Sequence, residues 1–143
     1  IMITIYTDGA CSGNPGIGGW GAVILENKKD DILLNGGNDN TTNNKMELTA
    51  AIESLKFFKE KQEIRLVTDS KYVKDGIQSW IHNWKKNGWK TSSKKPVKNK
   101  ELWIELDELI ARHKITWEWT KGHAGNKYNE KADYLARRYI EEI

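Results

Sequence analysis

The hydrophobic pattern changes period about a third of the way along the chain. Residues 2–8, MITIYTD, are β-branched and aromatic and predict a strand that ends in the turn-rich GACSGNPGIGG. Residues 20–25 (WGAVIL) and 31–36 predict two further strands, and the short connections predict an antiparallel meander. Then Leu48, Ala51, Ile52 and Leu55 fall at i, i+3, i+4 and i+7, which predicts a helix over residues 44–59. Residues 64–68 read as a short strand ending at Asp69, with Ser70 as N-cap of a following helix. Asn87-Gly88 breaks the next segment, and Leu102, Leu106, Leu109 and Ile110 form another helical stripe. Residues 115–120 give a last strand, and Tyr128, Ala132, Leu135, Ala136 and Tyr139 mark a final helix. This order predicts an α/β fold. Its mixed five-stranded sheet, three antiparallel hairpin strands plus two parallel ones, would be flanked by helices.

Composition narrows the class. With 143 residues, 38% hydrophobic and 30% charged, residues 1–143 are expected to form one soluble domain with a core of its own. Cys11 is the lone cysteine, which excludes an internal disulfide framework and fits a reducing, cytoplasmic setting. No apolar run approaches the roughly 20 residues of a membrane span, and no export leader opens the chain, so no membrane partner is expected. A monomer is expected, because neither heptads nor a large unexplained apolar stripe occur. Trp103, Trp117 and Trp119 read as core.

Charge is unevenly distributed. Residues 76–100 carry seven lysines and no acid, and without those seven the remaining 16 basic residues face 20 acidic ones. A basic patch on an otherwise acidic body addresses a polyanion. Trp80, Trp84 and Trp89 lie among Lys85, Lys86 and Lys90. Ammonium groups for phosphates beside flat rings for sugars and bases suit a nucleic acid. A solvated helix face would be expected to carry balancing acids.

Four carboxylates hold the candidate chemistry. Asp8 and Asp69 close strands, Glu47 opens a helix and Asp133 lies in the last one. The carboxyl edge of an α/β sheet is where ligands bind. Acids packed there need a cation, and hard divalent cations prefer oxygen ligands. Two such ions about 4 Å apart would stabilise the attacking water and the leaving oxygen of a phosphodiester. Each residue also has a plainer reading. Glu47 sits three residues after Asn44, as in a capping box. Asp69 suits a helix entry, Asp133 a solvated flank and Asp8 a turn. Spacing alone leaves these alternatives open.

Five strings carry a resemblance: YTDGACSGNPGIGGWG (6–21), TTNNKMEL (41–48), VTDSKYV (67–73), WIHNWKKNGWKT with KKPVKN (80–99) and WTKGHAGNKYNEKADYLA (119–136). In order, and over nearly the whole chain, the sequence resembles bacterial type 1 ribonuclease H. The resemblance implies a Mg²⁺-dependent endonuclease, with Mn²⁺ as a possible substitute, that cuts the RNA strand of RNA–DNA hybrids. It implies 5′-phosphate and 3′-hydroxyl ends and metal ligation by Asp8, Glu47, Asp69 and Asp133. His123 would move protons or assist product departure. Asn129 would stand near the scissile phosphate.

Substrate contacts follow from the same resemblance. Cys11, Asn14, Asn43 and Asn44 match positions against the RNA strand, where 2′-hydroxyls distinguish RNA from DNA. Thr42 and Asn99 match a pocket for a DNA phosphate, with Trp80 and Ser92 in the adjoining channel. Residues 80–99 resemble a basic protrusion that grips the hybrid. Lys71, directly after Asp69-Ser70, adds a cation near the site. A strand-transfer enzyme of the same architecture is disfavoured by the lysine–tryptophan segment and the GHAG string. A metal-free hybrid binder would leave four carboxylates facing phosphate without purpose.

Overall fold

The computed structural model describes residues 2–121 and 126–141 and is built around five strands. β1 (Ile3–Gly13), β2 (Gly16–Leu25) and β3 (Ile32–Thr41) form the antiparallel meander, while β4 (Glu63–Thr68) and β5 (Lys114–Trp119) run parallel to β1. The sheet order is β3-β2-β1-β4-β5, the mixed α/β architecture that the pattern predicts. The hairpin strands are longer than expected. Cys11 pairs with Gly18 and Gly13 with Gly16, so the reversal is confined to the tip, where Gly13 has φ 86°. Small residues that read locally as a turn stay extended because β2, itself held by β3, pairs with their backbone groups.

Side chains alternate between two helical layers. Ile3, Ile5, Ile24, Ile64 and Leu66 belong to the larger core. It also takes Leu48, Ile52 and Leu55 of α1 (Asn43–Lys56) with Trp103 and Leu106 of α4 (Lys100–Arg112). Tyr6, Val23 and Val67 pack with Ala132 and Leu135 of α5 (Lys127–Glu141) in the second layer.

The start of α1 corrects the capping-box reading. Its N-cap is Thr42, whose hydroxyl accepts from the Lys45 N–H at 3.2 Å, so Glu47 lies two positions deeper than a box requires. α1 stops at Lys56, short of residue 59, as the Phe58 N–H turns back to the Leu55 carbonyl and Phe58 is buried. Ser70 caps α2 (Lys71–Asp75) as predicted, accepting from the Val73 N–H at 3.1 Å. A wider turn over Gly76–Trp80 leads into α3 (Ile81–Lys86), which stops at Asn87-Gly88.

Trp103 is wholly buried, as expected of core. Trp117 and Trp119 are only half-buried; they stack on each other at 5.2 Å, packing inward from an edge strand. His113, which the pattern does not single out, is buried between the Gln62 N–H (3.0 Å to Nδ1) and the Leu55 carbonyl (3.2 Å from Nε2). Among the described residues no helix is long and apolar enough to cross a membrane.

Candidate active site

Backbone register brings the acids together. Tyr6 of β1 aligns with Val67 of β4, so Asp8 and Asp69, each two residues further, reach the carboxyl edge on one face. Gly9 lets α1 approach β1. A Cβ there would lie 2.6 Å from the Glu47 nitrogen and 2.7 Å from the Met46 carbonyl carbon. Gly21 does the same for α5. It is the register partner of Asp8, and a Cβ on it would lie 2.4 Å from the Ala132 oxygen. Asp133 follows directly. Two close backbone approaches therefore set two helices against the strand that carries Asp8.

The result is a hollow of about 410 Å³ whose lining includes Asp8, Glu47, Asp69 and Asp133. Ligand oxygens of Asp8, Glu47 and Asp69 all lie within 4.8 Å of one another. Burial, the Asp69 charge and the Asp133 carboxyl push Asp8 up to about 8, against the Gly9 N–H donating to its Oδ1 at 2.9 Å. Burial, then the charges of Asp8 and Asp69, hold Glu47 well above the usual carboxylate range. Glu47 is 7% exposed, and its Oε1 is buried without a hydrogen-bond partner among the described residues. A buried orphan acceptor amid mutually repelling acids is the donor set of a hard divalent cation, so the residues fit the metal.

Asp133 stands at the side of this trio. It contacts Asp8, while its Oδ2 accepts from Arg137 Nε at 2.9 Å. Arg137 was not picked out from sequence, although its i+4 spacing from Asp133 was a readable signal. Asn129, one turn earlier, has a buried Nδ2 with no partner among the described residues. Its N–H, like that of Tyr128, bonds to Asn126 Oδ1 at the start of α5. His123 lies outside the described residues.

The amide-rich rim is brought together only in part. Asn43, Asn44 and Lys71 line the carboxylate hollow, and Asn14 Oδ1 accepts from the Asn43 N–H at 3.3 Å. Cys11 is occupied within the meander, its thiol 3.4 Å from the Thr41 carbonyl and 3.6 Å from that of Gly16.

The lysine–tryptophan segment is graded rather than uniform. Trp80 is 36% exposed and packs on Tyr72 and Trp84, whereas Trp84 and Trp89 are half-buried against the core. Trp80 lines a hollow of about 320 Å³ with Tyr72, Asn83, Trp84 and Lys98. Ser92, expected in the same channel, lines a different hollow with Asn87, Lys90, Thr91 and Lys94. Asn99 donates to the Tyr72 hydroxyl at 3.0 Å and borders a third hollow with Lys45. The segment also has a balancing acid. Asp107 of α4 pairs with Lys85 at 3.3 Å, a long-range partner invisible in the local charge pattern, while Lys86 and Lys90 are exposed.

Comparison with known proteins agrees with this site. The family model described as RNase H matches residues 2–141. The chain is 62% identical over 138 residues to a ribonuclease H of Ehrlichia canis (strain Jake), covering 96% of this chain and 94% of that protein. It is 56% identical over 141 residues to one of Francisella philomiragia, covering 99% and 92%. Among solved structures, LC9-RNase H1, described as a type 1 RNase H with the type 2 active-site motif, superposes with TM-score 0.87. It is 30% identical, over 99% of this chain and 72% of that one. LC11-RNase H1, solved in complex with an RNA/DNA hybrid, superposes with TM-score 0.72 at 25% identity, over 98% and 97%. The family match over nearly the full chain, on a fold that gathers acids at its sheet edge, identifies the protein as a nuclease of the ribonuclease H family.

Proposed function

We propose that this chain is a cytoplasmic, monomeric endonuclease that hydrolyses the RNA strand of RNA–DNA hybrids with Mg²⁺. The observation that carries this reading is the trio of Asp8, Glu47 and Asp69, with its buried, unpartnered Glu47 Oε1. These carboxylates, joined by Asp133, would hold two divalent ions. When bound, the ions supply Lewis acidity to the phosphate and lower the pKa of a water.

The chain's own residues do the rest. The acids fix where the water and the scissile phosphate stand. Asn129 is suited to donate its free Nδ2–H to a phosphate oxygen or to orient the water. Water oxygen forms a bond to phosphorus as the bond to the 3′ oxygen breaks. The water's proton leaves through phosphate oxygens and solvent, with His123 able to relay it, and the 3′ oxygen is protonated. The products carry 5′-phosphate and 3′-hydroxyl ends.

Substrate choice rests on two surfaces. Asn14, Asn43 and Asn44 offer amides that donate to and accept from 2′-hydroxyls at the mouth of the acidic hollow. Residues 80–99, with Lys86, Lys90 and Trp80 exposed, act as a protrusion along the DNA strand. Thr42, Asn99 and Ser92 complete the DNA-side contacts.

An end-labelled hybrid, with RNA and DNA duplex controls, tests this on a gel with Mg²⁺ and with chelator. Cutting of the hybrid's RNA strand alone, only with metal, is expected. Salt-sensitive binding without cutting would replace the nuclease by a hybrid-binding module.

A further inference from the structure

Asp133 differs from the other three carboxylates in what holds it. Asp8, Glu47 and Asp69 are fixed by strand register and by the close approach of α1, and their oxygens gather within 4.8 Å. Asp133 is tethered instead by a side chain. Arg137 Nε donates to its Oδ2 at 2.9 Å, and Arg137 Nη1 lies 3.8 Å from Glu141 one turn further along α5. The guanidinium is thus held from two sides.

On an open helix face such an i,i+4 pair contributes little. Here one member lines the acidic hollow, so the pair alters a ligand. Of the two Asp133 oxygens, Oδ2 is engaged by Arg137, and a nearby cation offsets part of the carboxylate's charge. Resting on the nuclease reading above, we propose that Arg137 is a positioning residue that holds Asp133 through Oδ2 and offsets part of its charge, and so sets how Asp133 is offered to the metal site.

Charge and geometry can be separated by substitution. Arg137→Gln removes the cation and loosens the carboxylate. Mn²⁺ titration of the substrate-free protein by calorimetry should then show several-fold tighter binding. Turnover at saturating metal should fall roughly tenfold as Asp133 loses its orientation. Arg137→Lys keeps the charge without the planar donor, so metal affinity should return to the wild-type value while turnover stays reduced. Unchanged affinity with unchanged turnover in Arg137→Gln would reduce the pair to helix stabilisation and overturn the proposal, as would full rescue of turnover by lysine. If Arg137→Gln does not fold, Glu141→Gln, which frees one side of the guanidinium, should lower turnover in the same direction by a smaller factor, and no change would count against the idea. Failure of the wild-type protein to cut hybrid would overturn the nuclease reading instead. The calorimetric shift would still report on Arg137.

Discussion

The acidic hollow and the lysine–tryptophan segment are both built from charge, yet they are opposite constructions. The hollow concentrates one sign of charge in a partly buried place, where Asp8 is driven up to about 8 and Glu47 keeps an orphan oxygen. It is incomplete by itself and is resolved by a cation. The segment spreads the other sign over exposed lysines on a backing of packed rings, Trp84 and Trp89 resting on the core. It is complete by itself and gains only when a polyanion displaces its counterions. Rate should therefore reside in the first region and affinity in the second.

The sharpest way to break that division is Asp69→Asn. Turnover should fall about 10⁴-fold, the scale of losing one member of a catalytic unit. Metal-free binding to hybrid, followed by fluorescence anisotropy, should hold or tighten. Loss of binding instead would merge the two regions. The converse variant replaces Lys85, Lys86 and Lys90 together by Gln. Affinity should drop tenfold or more at low salt, and the slope of log affinity against log salt should flatten by about two rather than three, as Lys85 is already engaged by Asp107. Turnover at saturating substrate should change little.

Smaller effects sharpen how the hollow is assembled. Gly9→Ala places a methyl group 2.6 Å from the Glu47 nitrogen, forcing α1 off β1. Chemical denaturation should show a loss of about 1–3 kcal/mol, with weakened metal binding. The pH dependence follows from Asp8, which titrates near 3.8 when unfolded and about 8 when folded. The folded form thus retains the proton, and this contribution is full below about pH 4 and lost as the pH rises to about 8. On the proposed reading, a divalent cation such as Mg²⁺ would take the proton's place. Melting curves should therefore slope downward with pH in chelator and flatten with metal.

Much of this was readable in the chain, because the signals were local. The change of period predicted the sheet and its helices, and Ser70 announced its cap. Asp69 fell just past the end of its strand, whereas Asp8, read as the end of the first strand, lies in the middle of β1 because β2 keeps pairing with it as far as Gly13. What escaped depended on partners far away in sequence. The extension of β1 through Cys11 required β2 alongside it, and the grading of the three tryptophans required Trp103 and the core beneath them. Asp107 cannot be seen from a run of lysines that contains no acid, nor can the Thr42 cap be told from Asn44 without backbone angles. His113 gave no periodic signal, since its partners are Leu55 of α1 and Gln62 just before β4, both far away in sequence. That Asp8, Glu47, Asp69 and Asp133 share one hollow came from resemblance and is a matter of register and glycine contacts rather than spacing.

The acids of the hollow come from positions 8, 47, 69 and 133, nearly the full span of the sequence. During synthesis the first three can meet as soon as β4 pairs with β1, while the fourth arrives only when α5 closes over Gly21. A ribosome-bound fragment would therefore carry an unfinished cutting centre. On the reading that Asp133 completes the site, the last helix would arm the enzyme, and cutting would wait until that helix has emerged and docked.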